Sequence, residues 1–198
     1  MCISRHRMNL SIRVRSLENS RETDRAESMR VTHEFGAVYD EHSQILILGT
    51  FPSVKSREMA FYYGHPQNRF WRLIAALTGE EVPEREDITA KKQLLLRHGI
   101  AVWDVIASCQ ITGSSDSSIR DVIPNDIGSL LEQTNITHIY ANGAKAYELY
   151  MKYVYQQTHR EIIRLPSTSP ANAAYSFDRL YTIWMEQLAD FLESPKTV

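Results

Sequence analysis

Along this chain, apolar residues gather into short runs at Ile45–Leu48, Ile100–Ile106, Thr137–Tyr140 and Glu161–Leu165, each closed by glycine or polar residues. Each run is too short for a helix and nearly continuous in its apolar residues, the pattern of a strand covered on both faces. Between the runs the period changes. Phe70, Leu73, Ile74 and Leu77 fall on one face of a helix predicted over Asn68–Leu77, and Gly79 punctuates its end. Further helices are predicted over Thr89–His98, closed by Gly99, from Asn125 as a cap through Gln133, over Ala144–Tyr155 and over Phe177–Leu192. Strands alternating with helices of this length make parallel βαβ units. The expected fold is α/β, a three-layer α/β/α sandwich around a central, mainly parallel four-stranded sheet. Residues 31–198 form a single domain in this reading. Residues 1–30 are polar and charge-dense apart from Leu10, Ile12 and Val14, and are expected to be a flexible extension, with Met29 a second candidate start.

Composition narrows the classes. At 198 residues and 43% hydrophobic, the chain suits one soluble globular domain. Its two cysteines, Cys2 and Cys109, exclude a disulfide scaffold and an in-chain four-cysteine metal or iron–sulfur site, and favour a cytosolic setting. No run has the length of a membrane span or the shape of a signal sequence. A net charge of −2 leaves any nucleic-acid binding to a local basic patch. The histidines are not spaced with carboxylates as metal ligands, and no P-loop, dinucleotide fingerprint or G-x-S-x-G elbow is present. The missing elbow also argues against a hydrolase of small esters.

The strand ends carry the candidate chemistry. GTFPS, WDVIASC, ANG and LPSTSPANA all follow strands whose carboxyl ends share one sheet edge, where open parallel sheets bind ligands. Gly49 and Pro52 tighten the first loop, and Phe51 either stacks on a planar ring or plugs the core beneath. In HPQNRFW, Pro66 leads into a helix whose first turn holds Asn68. That asparagine either caps the helix or turns an amide toward a polar ring. Lys55, Arg57, Arg69 and Arg72 are phosphate ligands or solvated surface. His65 is a proton donor, a phosphate contact or, as favoured here, a structural residue. The prolines and hydroxyls of PSTSPANAA make a stiff wedge able to grip phosphate oxygens.

Together these motifs resemble the uracil-DNA glycosylase superfamily, with its Gly-x-x-Pro loop after the first strand and its Pro-Ser loop after the last. HPQNRFW is similar to the equivalent block of the mismatch-specific branch. With GTFPS, ANG and PSTSPANA it most resembles the hypoxanthine-DNA (deoxyinosine) glycosylase branch, over residues 31 to 192. Two positions depart from better-known branches. Phe51 stands where a water-positioning Asp or Asn is usual, and Leu165 where a histidine often steadies the departing base.

The resemblance implies a monofunctional, monomeric DNA glycosylase without metal or cofactor, acting on a flipped deaminated base in DNA. It moves catalysis to Asn68, with Asn142 in support, and assigns Gly49, Thr50, Phe51, Pro52 and His65 to the base. Ser53, Lys55, Arg69, Pro166, Ser167, Thr168, Ser169 and Pro170 then form the DNA-backbone contacts and wedge. Uracil, xanthine or a G:U mismatch are alternative targets. A non-catalytic nucleic-acid-binding module on the same fold is the other alternative, favoured by the apolar Phe51 and Leu165.

Overall fold

The structure, a computed structural model, describes residues 30–112 and 115–192, without the side chain of Asp116. The extension expected over residues 1–30 lies outside the described residues, except for Arg30. The central sheet holds β2 (Ile45–Gly49), β3 (Ile100–Asp104), β6 (His138–Asn142) and β7 (Ile163–Leu165), all parallel and in the order β3-β2-β6-β7. Every residue of β2 is buried. Because side chains alternate along a strand, Ile45 and Ile47 enter one core while Leu46 and Leu48 enter the other. Each such side chain contributes roughly 1.5–3 kcal/mol on burial, which explains why the strand tolerates no polar position.

The first core lies under α2 (Phe70–Thr78), α3 (Ile88–Arg97) and α7 (Phe177–Leu192), with Phe70, Leu73 and Trp184 fully buried. The second lies under α4 (Ile127–Glu132) and α5 (Ala144–Tyr153) and holds Leu130, Ala146 and Tyr150. Gly79 ends α2 at φ 71° and Gly99 follows α3 at φ 62°, the left-handed conformation expected of helix-terminating glycines. A short helix, α1 (Val54–Glu58), sits in the loop after β2, and α6 (Tyr155–Thr158) follows α5 after a break at Val154. No helix among the described residues is long and apolar enough to cross a membrane.

The structure corrects the expected elements in four respects. The run expected as one strand, Ile100–Ile106, divides at Val105, whose N–H is held by the Gly49 carbonyl at 2.9 Å. Beyond it, β4 (Ile106–Gln110) pairs antiparallel with β1 (Arg30–Thr32) and β5 (Arg120–Pro124) in a second, three-stranded sheet. The segment expected to be a serine-rich loop therefore holds two strands, and a 3-10 turn at Asp116–Ser118. Asn125 does not cap α4. Asp126 does, accepting from Ser129 N, while the Asn125 amide braces the Asp104 carbonyl at 2.9 Å. The third strand runs two residues further than expected, so Asn142 belongs to β6 itself.

Candidate active site

A cavity of about 660 Å³ opens at the carboxyl edge of the parallel sheet. Its walls are the loop after β2, the Tyr62–Asn68 segment, the ends of β3 and β6, and the loop after β7. Most of the expected site residues line it: Gly49 to Ser53 and Lys55, His65 and Asn68, Asn142, and Ser167 to Pro170. Arg69 and Pro166 do not. Residues far apart in the chain meet here because parallel strands deliver all their carboxyl ends to one edge.

Gly49 is required by close approach, not by a left-handed turn. A Cβ at this position would lie 2.2 Å from Oδ1 of Asp104. Gly49→Ala is therefore expected to displace the Asp104 carboxylate and abolish most of the activity of this site while the protein still folds. Single-turnover kinetics beside a thermal melt checks this. Phe51 is half-buried, packs on the second core as one of its two sequence readings has it, and also lines the cavity. The Arg57 guanidinium lies 5.8 Å from its ring and donates to the Pro52 carbonyl at 2.7 Å, bracing the loop. Lys55 is paired with Glu58 at 2.7 Å and half-exposed at the cavity wall. The ring of His65 accepts from Gln67 N at 3.2 Å.

Asn68 stands one residue before the N-cap of α2, which is Arg69, and its side chain lines the cavity. Its Oδ1 accepts from Phe70 N at 3.0 Å and so satisfies a first-turn donor of α2. The amide nitrogen is left without a hydrogen bond among the described residues, on a side chain that lines the cavity. The cap fixes the amide plane, and the donor end remains for a ligand.

Arg69 corrects the expected phosphate ligand. Its guanidinium donates to the carbonyls of Ser167, Thr168, Ser169, Asn172 and Tyr175, and its N–H to Thr168 O at 3.1 Å. A guanidinium has five N–H donors, and all three of its nitrogens donate to these carbonyls. It organises the wedge loop from within. Pro166 likewise serves as an anchor, its carbonyl accepting from the Trp184 indole at 3.0 Å.

Asn142 is a staple as well. Its Nδ2 donates to Thr168 Oγ1 and its Oδ1 accepts from Thr168 N, both at 2.9 Å, with both residues buried. This bidentate bond ties the end of β6 to the wedge loop, so the amide is not free to turn to a base as the resemblance implied. Asn142→Ala would orphan two buried groups of Thr168 and cost about 2–3 kcal/mol. Urea titration should show a lower midpoint with an unchanged slope.

Sequence reasoning passed over the groups at the bottom of the cavity. Asp104, the last residue of β3, is buried, and its Oδ2 accepts from His33 Nε2 at 2.9 Å. The His33 side chain is 2% exposed, and its Nδ1 is buried without a partner. Beside them the Tyr63 hydroxyl is buried and unpartnered, near both Asp104 and Asn142. Burial first, and then the Asp104 charge, push the Tyr63 phenol far above its ordinary range, so it stays a proton donor. Tyr63 stacks on Phe70 with centroids 3.8 Å apart and sits at φ 53°, an uncommon backbone angle for a bulky residue. A carboxylate closing a buried parallel strand is itself a signal, because that end faces the ligand edge. His33 lies 71 positions away and carried no local signal.

Polar loops at the carboxyl edge of a wholly parallel sheet surround a half-open cavity with room for a base or a nucleotide. The family profile of the uracil DNA glycosylase superfamily matches residues 36–189, and the chain belongs to that superfamily. Among curated proteins it is similar to a hypoxanthine DNA glycosylase of Methanosarcina acetivorans, 39% identical over 73% of this chain and 90% of the relative. A hypoxanthine DNA glycosylase of Methanosarcina barkeri is 35% identical over 58% of this chain and 72% of its own length. Among solved structures, the chain resembles a solution NMR structure of a Methanosarcina acetivorans protein provisionally described as a uracil DNA glycosylase. That likeness has TM-score 0.66 and 37% identity, and covers 83% of this chain and 98% of the other.

Proposed function

We propose that the protein is a monofunctional DNA glycosylase that removes hypoxanthine from deoxyinosine in DNA. The observation that carries this is the free donor end of Asn68, fixed by its own cap at the wall of a cavity able to enclose a base. Superfamily membership and two similar hypoxanthine DNA glycosylases support the same reading. In this account the deaminated base, weakly paired, flips into the cavity. The wedge loop, pinned by Arg69 and Asn142, occupies the gap and holds the backbone at the mouth.

Cleavage breaks the bond between C1′ and the base nitrogen, and the electron pair leaves with the base. Water adds to C1′, and the proton it loses ends on the departed base nitrogen, yielding neutral free base and an abasic sugar. Asn68 Nδ2 donates to the base as negative charge develops on it, an interaction stronger in the transition state than before it. An amide does not titrate near neutrality, so the acceleration comes from placement and electrostatics. The same reading has the chain acting as a single-domain monomer in the cytosol. With a net charge of −2 its DNA affinity is modest and falls with salt.

The test is product identity. Purified full-length protein, incubated with a deoxyinosine duplex, should release hypoxanthine, identified by mass spectrometry, and leave an intact abasic strand. A covalent adduct trapped by borohydride would overturn the monofunctional mechanism.

A further inference from the structure

A net charge of −2 leaves DNA binding to a local basic patch, and the cations expected at the cavity do not supply one. Arg69 is engaged by the wedge-loop carbonyls, Arg57 donates to the Pro52 carbonyl, and Lys55 is paired with Glu58 at 2.7 Å. Two other arginines stand close by, on the smaller sheet. In its order β1-β4-β5, Arg30 and Arg120 are both register partners of Gln110, one from each side. Residues directly opposite in antiparallel strands share a face, and Arg30 donates along that face to Ser108 Oγ at 3.0 Å. Thr32 and Ile123 stand opposite Ser108 from its two sides and belong to the same face. The alternate positions Val31, Cys109, Ile119 and Val122 pack in or against the second core, so this face turns outward. Arg30, Thr32 and Arg120 are exposed, and Ile123 is 53% exposed. Neither arginine forms an ion pair among the described residues, even with Asp121 next to Arg120. The row also adjoins the cavity: Gln110 is followed by Ile111, which lines it, as Ser115 does beyond.

We propose that the outward face of the β1-β4-β5 sheet is a docking surface for the duplex beside the flipped nucleotide, with Arg30 and Arg120 on its phosphates. This rests on the reading that the cavity works on DNA. Two steps across the ladder, at about 5 Å each, set the arginine Cα atoms about 10 Å apart. At 3.4 Å per base pair on each strand, that spans roughly three pairs. A guanidinium offers phosphate a planar fork, Thr32 adds a hydroxyl, and Ile123 gives deoxyribose an apolar contact. Contacts to phosphate and sugar carry no sequence information, so this face adds affinity for any duplex and leaves the choice of base to the cavity. Such contacts let a protein slide along DNA, which is how a rare lesion among undamaged pairs is reached.

The experiment measures binding apart from chemistry. Full-length protein is titrated, at several salt concentrations, into an undamaged duplex and into one carrying 2′-fluoro-deoxyinosine, which resists cleavage. Arg30→Ala and Arg120→Ala should each weaken binding of both duplexes by the same factor, roughly 3–10-fold near 0.1 M salt. Each should also flatten the plot of log affinity against log salt by about 1, and the double variant by about 2. Lysine at either position should recover most of the loss, because an ammonium still meets phosphate as a point charge. Lys152→Ala removes a charge from the last turn of α5, far from the carboxyl edge where that helix begins, and should leave affinity and slope unchanged. Arginine variants that are folded by circular dichroism and keep the wild-type affinity and slope overturn the proposal. So does an equal loss in Lys152→Ala, which would make net charge and not this face the cause. A loss confined to the deoxyinosine duplex overturns it too. Failure of wild type to release hypoxanthine from ordinary duplexes, with the arginine-dependent slope intact, would instead strike the glycosylase assignment and leave this surface standing.

Discussion

Asn68→Asp should fold as stably as the parent protein and yet release base on the order of 10²–10³-fold more slowly, the usual cost of losing one aimed transition-state donor. The substitution keeps an oxygen for Phe70 N, and a carboxylate is favourable at the start of α2. What it removes is the free Nδ2–H, and it sets a negative charge against a leaving base that is itself becoming negative. Asn68→Ala loses the same donor and also the cap, at about 1 kcal/mol, but should still bind lesion-bearing DNA. Comparing single-turnover rates with melting temperatures separates the two roles of this side chain. An Asn68→Asp protein with parental rates would mean that the cap is the residue's whole function.

Arg69→Ala should produce the largest loss that does not involve a group touching the base. Five carbonyls of the 167–175 segment converge on one guanidinium. Without it they lose their common partner, and the loop that bears Ser167 to Pro170 loses its shape. Charge-assisted hydrogen bonds contribute about 1.5–3 kcal/mol each, but several of these carbonyls can recover water. A net loss of roughly 2–4 kcal/mol follows, with a melting point lower by about 5–15 °C. Base release should fall through weaker binding of DNA. Arg69→Lys should rescue little, because an ammonium has three donors and no planar fork. A lysine variant with wild-type stability and activity would show that the convergence of carbonyls is not what orders the loop.

The architecture was legible because hydrophobic period is a strong local signal. The run ILIL admits a doubly covered strand, and the face of Phe70, Leu73, Ile74 and Leu77 admits a helix. The strand break at Val105 was not legible. Apolar residues flank Asp104 on both sides in VWDVIAS, and the change of sheet is imposed by backbone bonds from Val105 and Ile106 to Gly49 and Thr50. The cavity wall was readable from the strand-end motifs for the same topological reason. Roles within it were less so. Asn142, Arg69 and Asn68 are all residues whose sequence context suits a ligand. What two of these side chains bond is decided by partners distant in sequence, Thr168 for Asn142 and the 167–175 carbonyls for Arg69, while Asn68 bonds Phe70 N close by. Asp104 lies in the strand-end motif WDVIASC but was given no role of its own, because it stands inside what reads as one apolar strand. His33 reaches it only through the second sheet, whose β1–β4 pairing and His33 N–H bond to Ala107 O set its place. Tertiary partners, not local composition, separate the residues that brace this site from those left free to act.

The central claim is that this cavity removes hypoxanthine from DNA. It is tested most directly by a lesion panel: duplexes carrying hypoxanthine, uracil or xanthine opposite each normal base, incubated with the full-length protein, treated with alkali and scored for strand cleavage. Hypoxanthine duplexes should be cleaved fastest, and the cleavage should disappear in Asn68→Ala. Strong cleavage at uracil with none at hypoxanthine would contradict the account.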